Sequence, residues 1–141
     1  MRDELYTFLH RPMWTKAKIR TKEAQIRDLQ LMMLPGAIRY DKDKVQSTPS
    51  DPMAEYVERL SELEADIRKL KRQYLREQKE VSKYIGLLPD PNEADVLTAR
   101  YITGLRFEAI AEQCHVSEPT VYRWHRVGIN HLGEIIPGPK K

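Results

Sequence analysis

The chain has 141 residues, of which 40% are apolar and 32% charged, and a formal net charge of +3. This length holds one or two small domains, and the high charge favours long solvated helices around narrow seams over one thick core. A single cysteine excludes an internal disulfide and a zinc site built from several thiolates.

No stretch approaches the roughly 18 apolar residues of a membrane span. The opening Met1-Arg2-Asp3-Glu4-Leu5-Tyr6 places acids where a signal peptide has a basic lead and an apolar core. A cytoplasmic protein without a membrane partner is therefore expected.

Arg2 to Arg11 is expected as a short helix carrying Leu5, Phe8 and Leu9. Pro12 should end it, because the residue before proline is pushed out of the helical region. A second helix is expected from Thr15 to Leu34. There Ile19, Ile26 and Met33 recur every seven residues, with Leu29 between the last two, a narrow seam suited to another helix. Lys16, Lys18, Arg20 and Lys22 make its first half basic, as a solvated face or a phosphate-contacting one.

Leu34-Pro35-Gly36 stops this helix, and a long loop over residues 35–52 follows. It mixes charges, prolines and hydroxyls with little periodicity, which marks either a linker or a functional loop. Ile38, Tyr40 and Val45 alternate within it and could pack back onto the helices. Ser50 or Asp51 then caps a further helix with Pro52 at its first position.

From Met53 a heptad pattern is sustained. Met53, Leu60, Ile67, Tyr74, Val81 and Leu88 occupy one position of the repeat, and Tyr56, Leu63, Leu70, Glu77 and Tyr84 the other. Only Glu77 interrupts it. This predicts a coiled-coil helix ending near Ile85-Gly86, with i,i+4 pairs Glu55/Arg59 and Glu64/Arg68. The preceding seam is shorter, so an antiparallel hairpin should leave apolar surface for a homodimer through residues 53–84. Arg68, Lys69, Lys71, Arg72 and Arg76 form either a solvated face or a phosphate or partner surface.

Leu88-Pro89-Asp90-Pro91 reads as a stiff hinge, dividing the chain into a helical, coiled-coil region, 1–88, and a C-terminal domain, 89–141. Asn92 is expected to cap a helix running to Ile102 and ended by Thr103-Gly104. The next two helices would complete a three-helix domain. In the first, Ile110, Ala111 and Cys114 share one face, and Cys114 is read as a small core residue. His115-Val116-Ser117 makes the turn. Many such turns have glycine at the position of His115, and histidine is among the residues that tolerate positive φ. Ser117 caps the next helix, Pro119 fits its first turn, and Val121 and Trp124 mark its inner stripe. That helix runs on to Leu132, with Val127, Ile129 and Ile135 packing back and Gly138 to Lys141 as a loose tail.

The arrangement is a helix-turn-helix, whose second helix enters the major groove of DNA. The expected DNA-binding residues are Ser117, Glu118, Thr120, Tyr122, Arg123 and Arg126. Arg123 is placed to donate twice to a guanine edge, Glu118 to accept from a cytosine amino group or to repel wrong bases, and Arg126 to meet phosphate. An ordinary two-helix corner, with Arg123 bridging Glu118 or Glu112, is the alternative. From Gly86 onward six Lys/Arg face seven Asp/Glu. Since phosphate neutralisation supplies most non-specific affinity, this module alone should bind weakly.

No phosphate loop, nucleophile elbow or metal-ligand cluster occurs in the sequence, and His10, His115, His125 and His131 are scattered. The chain is not expected to be an enzyme, nor to carry a metal or cofactor. The fold class expected is all-α, an N-terminal helical hairpin or coiled coil followed by a C-terminal three-helix helix-turn-helix domain.

Gly104 to Leu132, especially Val116-Ser117 followed by Thr120-Val121-Tyr122-Arg123, resembles the helix-turn-helix of sigma-factor region four. The segment from Leu34-Pro35-Gly36 through Val45-Gln46, then Ser50-Asp51-Pro52-Met53, resembles a linker in ArpU/RinA-like late transcription regulators of phages and prophages of Gram-positive bacteria. The resemblance implies sequence-specific binding of double-stranded DNA in the cytoplasm of a bacterial host and control of late phage genes, with RNA polymerase as a further partner. Two other readings stand beside it. A small terminase subunit recognising phage DNA for packaging would form rings, and a helical interaction adaptor would never touch DNA.

Overall fold

A computed structural model of the chain describes residues 3–34 and 51–137. Among them the protein is all-helical and has no strand. Helix α1 is Asp3–Met32, α2 Pro52–Ile85, α3 Pro91–Thr98, α4 Phe107–Cys114 and α5 Glu118–Ile135, with a π-helical turn, Ala99–Thr103, continuing α3. None of these helices is long and apolar enough to cross a membrane. The expected loop over residues 35–52 lies outside the described residues up to Ser50, as does the tail Gly138 to Lys141.

The break expected at Pro12 does not occur. Helix α1 runs through it as one element of 30 residues. Pro12 cannot donate to the Phe8 carbonyl, which in an unsupported helix costs about 3 kcal/mol. Burial offsets that loss. Pro12 is fully buried and continues the seven-residue column of Leu5, Ile19, Ile26 and Met33. Tertiary packing therefore overrides the local signal. Helix α1 is thus longer than the helix expected from Thr15, with 30 residues against the 34 of α2.

Helix α2 starts and ends as its sequence directs. The Asp51 side chain accepts from the Met53 amide at 3.0 Å, and Pro52 takes the first position, where its missing N–H removes no bond. The amide of Gly86 still reaches the Ser82 carbonyl, and the helix stops there.

The chain divides into two compact units: Met1–Thr15 with Gln73–Lys141, and Lys16–Arg72. In the second, Ile19, Leu63 and Ile67 are buried, while Ile26, Leu29, Leu60 and Leu70 are half-buried. Lys22 pairs with Asp66 at 3.3 Å, and Arg59 with Glu62 at 3.1 Å. The expected pairs Glu55/Arg59 and Glu64/Arg68 do not form, since exposed charged side chains gain little from any one partner. Arg68, Lys69, Lys71 and Arg72 are exposed.

The first unit holds the larger core. Leu5 and Leu9 of α1 pack with Val81 and Ile85 of α2, with Leu97 and Tyr101, and with Ile129 and Leu132 of α5. Phe8 meets Tyr84 edge-on at 5.7 Å, and Thr15 donates to Glu77 at 2.5 Å, so here α1 and α2 run antiparallel. Glu77 interrupts the heptad pattern for a reason now visible. Its carboxylate accepts from buried Thr15 and, at 3.3 Å, from Gln73, a satisfied polar cluster inside an apolar seam. Such a cluster favours one register over its neighbours.

Leu88 and Leu97 sit in the same core on either side of the Pro89–Pro91 step. The cap of α3 is Asp90, not Asn92. Asp90 accepts from the Asn92 amide at 2.9 Å, and Pro91 takes the first helical position. The π-helical turn ends at Gly104, whose φ of 84° suits a residue without Cβ.

Candidate nucleic-acid interface

Helices α4 and α5 pack on a small core of Val96, Ile110, Ala111 and Val121, with Leu105, Phe107, Cys114, Val116 and Trp124 half-buried against it. Cys114 is thus a partly buried core thiol.

The turn between the helices is built by backbone bonds. His115 adopts φ 57° and ψ 42°. Its amide bonds to the Glu112 carbonyl at 3.3 Å, and the Val116 amide reaches the Ala111 carbonyl at 3.0 Å. This is the Schellman closure, with histidine where glycine is commoner, and it tucks Val116 against the core. Ser117 begins the next helix. Its hydroxyl accepts from the Thr120 amide at 3.4 Å and bonds to the Thr120 hydroxyl at 2.9 Å.

Helix α5 is two-faced. Val121, Gly128, Ile129 and Leu132 are buried. Glu118, Tyr122, Arg123 and Arg126 are exposed, as is Ser117, while Thr120 is half-buried and shares its hydroxyl with Ser117. The six residues expected at the interface are therefore brought together, although Ser117 and Thr120 are partly occupied as a cap. Arg123 and Arg126 form no ion pair among the described residues, so the bridge from Arg123 to Glu118 or Glu112 is not made. The Tyr122 ring lies tilted against Phe107 of α4, centroids 4.6 Å apart, and remains 48% exposed.

Behind this surface lies a chain of rings that the sequence reading missed. Phe107 meets His125 edge-on at 5.1 Å, and the Tyr101 hydroxyl bonds to His125 Nε2 at 2.8 Å. Burial lowers the His125 pKa to about 4, with the charges of Arg100 and His10 adding to the effect. His125 is thus neutral near pH 7, so the Tyr101 O–H donates to Nε2. Burial also raises the Tyr101 pKa, which keeps that proton in place. Arg100 lies over the Phe107 ring at 4.4 Å and donates to the Leu105 carbonyl at 3.1 Å. One signal for His125 was legible: Val121, His125, Gly128 and Leu132 follow the i, i+4, i+7, i+11 spacing of a buried stripe.

The other flank of α5 is tied to α3. His131 Nδ1 bonds to buried Glu93 at 2.6 Å, and this bond, with the carboxylate's charge, raises the His131 pKa. A Cβ on Gly128 would lie 3.2 Å from both Glu93 Cβ and Leu97 Cδ1, so the helices cross closely there.

Fold and surface together define an all-helical chain whose last two helices form a helix-turn-helix with a polar, arginine-bearing outer face. The chain belongs to the family described as Protein of unknown function (DUF1492), which matches residues 36–133. No curated protein matches it, and no solved structure does.

Proposed function

We propose that this protein binds double-stranded DNA in a sequence-specific manner and regulates transcription, with α5 as the helix that reads the major groove. One observation carries this reading. The first turns of α5 present Glu118, Tyr122, Arg123 and Arg126 to solvent on a helix anchored by its opposite face, and both arginines are without an ion-pair partner among the described residues. An exposed arginine fork in that position suits the O6 and N7 edge of guanine. The resemblance to ArpU/RinA-like regulators and to sigma-factor region four supports a role at phage or prophage late genes beside a host RNA polymerase.

Selection of bound duplexes from a randomised pool at low salt tests the reading. A reproducible motif is expected. Recovery of unenriched sequence at every salt concentration would count against it.

A further inference from the structure

We propose that the N-terminal turns of α1 form a second DNA-contacting surface, in which Arg11 meets phosphates flanking the site and Trp14 and Tyr6 pack on the sugar–phosphate edge. This rests on the reading of α5 as a DNA-binding helix and extends it to a part of the chain far away in sequence.

Tyr6, His10 and Trp14 are four residues apart and so share one face of α1. Tyr6 stacks on His10 at 3.9 Å and His10 on Trp14 at 5.8 Å. Tyr6 and Trp14 remain 47% and 45% exposed, a large aromatic surface for one helix face. Apolar burial therefore does not account for this column.

Its position relative to α5 follows from the rings. His10 meets Tyr101 edge-on at 5.2 Å, and Tyr101 meets His125. At about 100° per residue, with Val121 pointing inward, Tyr122 and Arg126 lie on one flank of α5, and Trp124 and His131 on the other. His125 turns toward the first flank and shares Phe107 with Tyr122. Glu93 of α3 is held on the second, through His131. Through Tyr101, His10 of α1 is thus linked to the side of α5 toward which His125 turns. Gly104, which leads into α4, touches the same stretch of α1, since a Cβ there would lie 3.0 Å from the Met13 sulfur.

Charge selects the partner. Arg11 and Arg106 are exposed and, like Arg123 and Arg126, make no ion pair among the described residues. Aromatic and arginine side chains also suit protein interfaces. The ring contacts that link this column to α5, and the exposed, unpaired guanidinium of Arg11 three residues before Trp14, favour a polyanion. This face would also supply the phosphate contacts that the acid-balanced C-terminal residues lack.

The test uses the full chain carrying Trp124→Phe, which leaves Trp14 as the one tryptophan, and a duplex obtained by selection. Trp14 emission should change on addition of that duplex. Arg11→Ala should weaken all sequences alike, flatten the dependence of log affinity on log salt by about 0.9, and leave the selected motif unaltered. Binding that still depends on Arg123, with Trp14 emission and the Arg11→Ala salt slope both unchanged, would overturn the second surface and leave α5 as the reader. Arg11→Ala and Trp14→Ala that bind DNA as the parent does but lose a protein partner would reassign the face to protein. Absence of any DNA binding by the folded chain would overturn both inferences.

Discussion

The two units bury their residues in different ways. In Lys16–Arg72 the interior is a strip, with Ile19, Leu63 and Ile67 inside and charged side chains on its margins. In the other unit the apolar cluster is broader and carries polar pairs within it, Thr15 with Glu77 and Tyr101 with His125, and one at its edge, Glu93 with exposed His131. Among the described residues every buried side-chain nitrogen and oxygen has a partner. A strip of apolar side chains holds two helices together but discriminates poorly between registers. Buried polar pairs fix one arrangement, because each unmade bond costs about 1–3 kcal/mol. The candidate interface belongs to the unit that is specified in this second way.

The largest effect expected from breaking this contrast is in the broad core. Leu97 is fully buried between α3 and α5, and Leu97→Ala should destabilise the protein by about 3–5 kcal/mol. Leu63→Ala in the strip should cost about 2 kcal/mol, because a two-helix seam opens to water and retains less of a cavity. Denaturant titrations of both variants check the order, and equal losses would show that the two interiors are alike.

At the interface, Arg123→Ala should weaken binding to a selected duplex by about 1–3 kcal/mol and relax preference at one base pair. Arg126→Ala should weaken all sequences alike. Fluorescence anisotropy on matched and single-substituted duplexes separates the two.

The polar pairs predict a pH dependence whose sign follows from His125. Its folded pKa, about 4, lies below the ordinary 6.5, so the unfolded chain binds the proton more readily between those values. Stability should therefore be lost as pH falls from about 6.5 toward 4, and His125→Gln, which keeps an acceptor for Tyr101, should reduce that loss. His131 has the opposite sign. Its raised pKa gives a contribution that is complete below the ordinary 6.5 and is lost as pH rises through the raised value. Being solvent-exposed, His131 should move stability less. Thermal melts of the two single variants across this range are the check.

The smallest effect is expected at Glu77. Replacing both partners, Thr15→Val with Glu77→Leu, restores the heptad pattern and should change stability by less than about 1 kcal/mol, since apolar replacement of both members of a polar pair is often nearly neutral. The loss should appear instead as register heterogeneity, read as extra cross-peaks in NMR spectra of α1 and α2.

What the sequence allowed to be read follows the same contrast. The strip is periodicity, so α2 and its Asp51 cap were legible, as were the His115 turn and the Ser117 cap, which depend on residues adjacent in sequence. Pro12 misled because its local rule is steric and its burial is tertiary. The seven-residue column from Met33 back through Ile26 and Ile19 already led to Pro12 and Leu5. Asp90 outcompeted Asn92 as a cap because Pro91 fits the first helical position. The partners of Glu77, Glu93 and His125 lie 62, 38 and 24 residues away, and no spacing rule connects such pairs. Five of the six expected interface residues are exposed and Thr120 is half-buried, whereas the Phe107 ring of α4 that supports Tyr122 could not be read.

Whether α5 reads DNA is decided by parallel selections from one randomised duplex pool with the parent chain and with Arg123→Ala. The parent should select one motif and the variant the same motif with preference lost at a single base pair, most simply a guanine. Identical motifs for the two proteins would remove Arg123 from the reading set, and the absence of any motif for the folded parent would contradict the reading of DNA by α5.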